Sequence, residues 1–104
     1  MKSMPAGECY RNVVQYLKAR VVGVKSSALI VHGSILSIST GRRKRILHAW
    51  IEMVHEGDVI DPTQGVTINR TAYYRLVGAK VDARYTLEQA MILSLRNRNW
   101  GPWT

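Results

Sequence analysis

Two apolar, β-branched runs, residues 27–32 (Ser-Ala-Leu-Ile-Val-His) and 34–39 (Ser-Ile-Leu-Ser-Ile-Ser), meet at Gly33 and leave this part of the chain little choice but a sheet. Val and Ile pack well on a pleated surface, and a glycine between such runs marks a bend or a close backbone approach. The pair therefore reads as two strands, or as one long strand bent at Gly33. Residues 40–45 follow as a polar, basic turn, and residues 46–54 as another strand. Strand alternation puts His48, Trp50 and Glu52 on one face and Leu47, Ala49, Ile51 and Met53 on the other. Glu56-Gly57-Asp58 supplies turn chemistry, and Val59-Ile60-Asp61 returns as a short strand stopped by Pro62. Residues 72–77 and 80–83 read as further strands around Gly78.

The period changes at both ends of the chain. Tyr10, Val13, Val14, Leu17 and Val21 recur at three- and four-residue spacing, which predicts an amphipathic helix of about three turns beginning at Cys9. Glu8 faces the positive end of its dipole, and Gly23 is the expected exit. Cys9, Val13 and Leu17 share one stripe. Thr86-Leu87-Glu88-Gln89 is a capping-box pattern, and Leu87, Ala90, Met91, Ser94 and Leu95 trace a second helix ending before Gly101 and Pro102. The expected fold is a single α+β domain over residues 1–104, with an N-terminal helix carrying Cys9 packed on an antiparallel sheet and a second, C-terminal helix.

Composition narrows the function classes. One cysteine allows no internal disulfide and suits a reducing compartment, so the expectation is a cytoplasmic protein. The nearly apolar run at residues 28–31 is far too short to cross a bilayer, and no membrane partner is expected. Loops of the Walker or Rossmann kind are missing, and no His-x-x-x-His pair supports a metal site built from Cys9, His32 and His48. No cofactor and no metal are expected. The formal charge of +8 is uneven: residues 1–52 hold nine basic and two acidic groups, residues 53–104 six and five. Arg42, Arg43, Lys44 and Arg45 form one run, a solvated basic loop or a patch for nucleic acid or an acidic protein. A small basic binding module, drawing also on Lys80, Arg84, Arg96 and Arg98 with Trp100 or Trp103 for stacking, is one functional alternative.

The reactive groups suggest another. A cysteine at a helix start, a histidine on a strand and an aspartate on the next strand are the parts of a cysteine nucleophile. The attacking form is the thiolate, which a helix N-terminus and a neighbouring imidazolium favour. A carboxylate then holds the imidazole in its useful tautomer. Cys9, His48 and Asp61 occur in that order.

Gly7-Glu8-Cys9-Tyr10-Arg11-Asn12, then His48-Ala49-Trp50-Ile51-Glu52, then Asp61-Pro62-Thr63 resembles the core of the transglutaminase-like branch of the papain-like cysteine enzymes, over about residues 7 to 63. The resemblance implies Cys9 as nucleophile, His48 as general base and acid, and Asp61 as orienting group. It implies acyl transfer at a protein or peptide amide: hydrolysis, deamidation or transamidation through a thioester. Trp50 and Glu52, on the His48 face, are the candidate substrate-contacting residues. A retained scaffold without catalysis, serving as a binding effector, is the remaining alternative.

Two features depart from the family pattern. Related peptidases take an oxyanion donor from a Gln upstream of the cysteine, and none of the eight residues before Cys9 is Gln. The oxyanion hole then rests on the Cys9 backbone N–H at the helix start together with a second donor that the sequence does not identify. A two-residue turn at Glu56-Gly57 also pairs Asp61 with Glu52, four residues or roughly 13 Å along the strand from the position opposite His48. A triad then needs a turn centred nearer Val54-His55, a bulge or a strong shear.

Overall fold

The structure, a computed structural model, describes residues 2–20, 27–39 and 41–103. Its elements run α1 (Cys9–Lys18), β1 (Ala28–Ser39), β2 (Arg42–Met53), β3 (Asp58–Asp61), β4 (Val66–Asn69), α2 (Arg70–Val77), β5 (Lys80–Tyr85) and α3 (Leu87–Asn97). The five strands form one sheet in the order β4-β3-β2-β1-β5, every neighbouring pair antiparallel. The α+β architecture matches the expectation from sequence, with an N-terminal helix starting at Cys9 and a C-terminal helix opened by Thr86. Thr86 Oγ1 accepts from the Gln89 N–H at 3.1 Å and the Gln89 side chain accepts from the Thr86 N–H at 2.9 Å, the reciprocal capping box.

β1 is one long strand, paired with β2 from Ala28 opposite Met53 to Ser39 opposite Arg42. Gly33 interrupts its apolar run because β5 passes against it: a Cβ there would lie 2.0 Å from the Lys80 carbonyl oxygen and 2.9 Å from the Trp50 ring. The ladder between β1 and β5 shifts register at the same point. Gly33→Ala is therefore expected to cost roughly 2–3 kcal/mol by overpacking. Thermal unfolding should show a midpoint lowered by about 10–20 °C; an unchanged midpoint would mean that β5 moves aside freely.

Strand alternation sorts the core onto two faces. Ala49, Ile51 and Met53 pack with Val13, Val14 and Leu17 of α1 and Leu87 and Ala90 of α3. Trp50 packs on the other face with Val31, Ile35, Val59 and Tyr73 of α2. The N-terminal stripe is as expected, with Cys9, Val13 and Leu17 all buried; Val21 and Gly23 lie outside the described residues.

Two expectations are corrected and one strand is added. Residues 72–77 belong to helix α2, not a strand. The Asn69 side chain accepts from the Ala72 N–H at 3.2 Å, and Gly78, at φ 58°, closes the other end in the left-handed region. The two tyrosines and the valine in this segment favour strands, but the two caps and the burial of Tyr73 against Trp50 outweigh that preference. Residues 42–45 are strand, not turn, since Arg42 already pairs with Ser39, and Gly41 at φ 76° serves the reversal; Thr40 lies outside the described residues. β4 was not expected from the sequence; it adds a fifth, edge strand by pairing Val66–Asn69 with β3.

Candidate active site

The turn between β2 and β3 decides the site. It spans residues 54–57, closed by the Gly57 N–H donating to the Met53 carbonyl at 2.8 Å, so that Met53 pairs with Asp58 and Ile51 with Ile60. One further step places Asp61 beside Trp50, on the face that also carries His48. The expected two-residue turn, with Asp61 opposite Glu52, is thereby corrected: the longer turn moves Asp61 two residues along β2 to a diagonal neighbour of His48. His55 lies exposed on this turn.

The result is a buried dyad. His48 Nε2 lies 2.8 Å from Asp61 Oδ2, and Asp61 is fully buried. Tyr73 Oη donates to the same oxygen at 2.7 Å, and the Gln64 N–H donates to Oδ1 at 3.2 Å. Both carboxylate oxygens are thus engaged and its rotamer is fixed. Burial and Asp61 together raise the Tyr73 phenol well above its ordinary pKa, so that hydroxyl remains a donor.

Cys9 reaches the dyad because β3 stops at Asp61. The Met4 N–H donates to the Pro62 carbonyl at 2.8 Å, laying the N-terminal segment against the end of β3. Asn12 Nδ2, one turn into α1, donates to the Pro5 carbonyl at 2.8 Å and to Thr63 Oγ1 at 2.9 Å. These bonds seat the first turn of α1 with Cys9 close enough to His48 to favour its charged form. Since Nε2 faces Asp61, Nδ1 is the ring nitrogen left for sulfur. The backbone N–H groups of the first helical turn have no intrahelical partner and carry the positive end of the dipole.

The electrostatics hold a proton on His48. Burial is the largest influence and works against the charged ring, but the Asp61 hydrogen bond and the Cys9 contact outweigh it and push the pKa up to about 9. Trp50 stacks against His48, ring centroids 6.3 Å apart, with Tyr73 and Tyr74 behind it. Trp50 has no exposed surface. Glu52 accepts from Arg84 Nε at 2.8 Å and from Tyr74 Oη, and lies two alternations farther along β2 from His48. Burial raises the Glu52 pKa, but these partners outweigh it and leave it below its ordinary value. The structure thus brings Cys9, His48 and Asp61 together and places Trp50 and Glu52 behind them as a wall and an ion pair.

Sequence reasoning assigned no role to Tyr73 or Asn12. Tyr73 fell in the segment read as a strand. Asn12 carried a usable signal, its i+3 spacing from Cys9, which puts both on one side of the helix.

His32 stands on the opposite face, 3% exposed, among Tyr10, Tyr85 and Trp103 at centroid distances of 4.6, 5.0 and 5.0 Å. Neither ring nitrogen has a hydrogen-bond partner among the described residues, and burial, opposed by Asp82, pushes its pKa down to about 4. The two histidines load stability onto opposite pH limbs. The unfolded chain protonates His32 near its ordinary value of 6.5 while the fold resists until about 4, so stability falls as pH drops through that window. His48 contributes stability that is full below 6.5 and is lost as pH rises through about 9. Urea unfolding is expected to show greatest stability near pH 6.5, with His32→Phe flattening the acid limb and His48→Ala the alkaline one. An unchanged acid limb in His32→Phe would show that the ring is solvated.

Among the described residues no group of three or more His, Cys, Asp or Glu is placed to hold a metal ion, and no helix is long and apolar enough to cross a membrane. Comparison with known proteins finds no matching family model, no matching curated protein and no matching solved structure.

Proposed function

We propose that this chain is a small cysteine-dependent acyl-transfer enzyme acting on an amide of a protein or peptide. The observation that supports it is the 2.8 Å contact of His48 Nε2 with the buried Asp61 carboxylate, with Cys9 near enough to His48 to favour its charged form. Three side chains from a helix and two strands converge in the order nucleophile, proton carrier, orienting group.

The chemistry follows from those positions. The Cys9 thiolate attacks the amide carbon and a C–S bond forms. Backbone N–H groups at the start of α1, that of Cys9 first, face the negative charge that develops on the carbonyl oxygen. His48 gives its proton to the amide nitrogen, the C–N bond breaks, and an amine or ammonia leaves a thioester on Cys9. A water or a second amine then attacks the thioester; His48 takes its proton and the thiolate is released. Peptidase, deamidase and transamidase differ only in the leaving group and the second nucleophile. A thiol that must remain free for this cycle suits a reducing compartment such as the cytoplasm.

The test is the rate of Cys9 alkylation by iodoacetamide across pH, in the wild type and in His48→Ala. Alkylation that persists below pH 7 and depends on His48 is expected. A rate indifferent to His48 would reduce Cys9 to a buried, inert thiol.

A further inference from the structure

We propose that the outer edge of β2, from Arg42 to Leu47, is the docking strand for an extended, acidic segment of the polypeptide substrate; the proposal rests on the reading of Cys9, His48 and Asp61 as an acyl-transfer site. β3 pairs only with Ile51, Glu52 and Met53, so the outer edge of β2 continues past His48 without a strand beside it. Residues 42–47 are all exposed, Leu47 at 60%, and among the described residues no further backbone hydrogen bond reaches that edge. Six residues at about 3.3 Å each give roughly 20 Å of unpaired N–H and C=O groups, the template on which an extended chain adds as a strand. The inner end of that template is His48 itself. A polypeptide paired along it is delivered with an amide beside the thiol.

Charge identifies the occupant. Among the described residues Arg42, Arg43 and Lys44 make no ion pair or hydrogen bond, and Arg45 donates to Ser34 Oγ and the Gly78 carbonyl, both at 3.0 Å, so none of the four has an anionic partner there. No Asp or Glu occurs between Glu8 and Glu52. Alternation sends Arg43 and Arg45 to one face and Arg42 and Lys44 to the other, so both side-chain rows of an added strand meet cations. Ile46 and Leu47 lie nearest the thiol. The favoured segment is therefore apolar next to the reacting amide and acidic three to six residues away. The same cations oppose pairing of two copies edge to edge, since like charges would face each other. A nucleic acid is the weaker match, because the carbonyl oxygens that alternate with the N–H groups along this edge repel phosphate and attract a peptide N–H.

The experiment uses the full chain as Cys9→Ala, labelled with 15N, titrated with a ten-residue peptide that has an apolar end and alternating Glu. A peptide with Lys in place of Glu and a DNA duplex serve as comparisons. The expected result is binding of the Glu peptide, slowed amide exchange confined to residues 42–48, and at least tenfold weaker binding in Arg43→Glu/Lys44→Glu and in the milder Arg43→Gln/Lys44→Gln. Equal binding of the two peptides, protection elsewhere, or binding of the duplex alone would overturn the proposal. His48-dependent alkylation of wild-type Cys9 is measured in parallel. If it holds while the peptide result fails, the docking strand alone is wrong; if it is lost, the site falls and the edge is no substrate dock.

Discussion

Iodoacetamide alkylation of Cys9 at pH 6 is expected to slow by on the order of tenfold when His48 is replaced by alanine, and two opposing effects set that size. An ordinary thiol, with a pKa near 8.5, is only about 0.3% thiolate at pH 6, whereas thiols held against an imidazolium titrate at roughly 3.5 to 7.5. Full ionisation thus gains a few-hundredfold in reactive form. A more acidic thiol is also a poorer nucleophile, with a Brønsted slope of about 0.4–0.5, which takes back roughly a factor of twenty. The contrast should shrink as pH rises toward 9, where His48 loses its proton. A ratio near one throughout pH 5 to 9 would show that the imidazole does not act on sulfur.

Asp61→Ala is expected to produce the largest loss of stability of any single substitution in the site. Asp61 has no exposed surface, and its two oxygens accept from His48, Tyr73 and the Gln64 N–H. Alanine leaves a buried imidazolium and a buried hydroxyl without an acceptor. Breaking a buried pair by removing one partner costs about 3–5 kcal/mol, which for a domain of this size lowers the midpoint by at least about 12 °C. Asp61→Asn should recover part of the loss, because its amide oxygen can accept from both His48 and Tyr73 while its amide nitrogen meets the Gln64 N–H. Tyr73→Phe removes one hydrogen bond and should cost only about 1–2 kcal/mol. Thermal or urea unfolding of the three variants checks this order; an Asp61→Ala protein within 1 kcal/mol of wild type would show that the carboxylate is not what holds the two donors.

The long hairpin, the first helix and the Thr86 cap were legible because each is a local pattern: a run of β-branched residues, a three-and-four spacing, a reciprocal pair of side chains. What escaped depended on tertiary contacts. Residues 72–77 have strand-like composition, and their helicity comes from the Asn69 and Gly78 caps and from Tyr73 against Trp50. The pairing of Asp61 hung on whether the turn holds two residues or four, and Glu56-Gly57 is turn-like in either case. Trp50 and Glu52 share a face with His48, as alternation requires. Only the arrival of α2 and β5 shows that this face is covered there, with Tyr73, Tyr74 and Arg84 as its lid. The candidate residues Cys9, His48 and Asp61 were legible; the props that seat them, Asn12 and Tyr73, were not.

His48 and Asp61 are 13 positions apart in one hairpin, whereas Cys9 reaches them only when α1 docks from the other end of a long loop in sequence. Local hairpins form early and distant contacts late. A chain still folding thus holds the His48 imidazole and the Asp61 carboxylate together before the sulfur joins them, and Tyr73 must also be in place for the carboxylate to be fully engaged. On the acyl-transfer reading proposed above, reactivity would arrive only with completion of the fold, which would spare the unfinished chain from modifying itself or its neighbours.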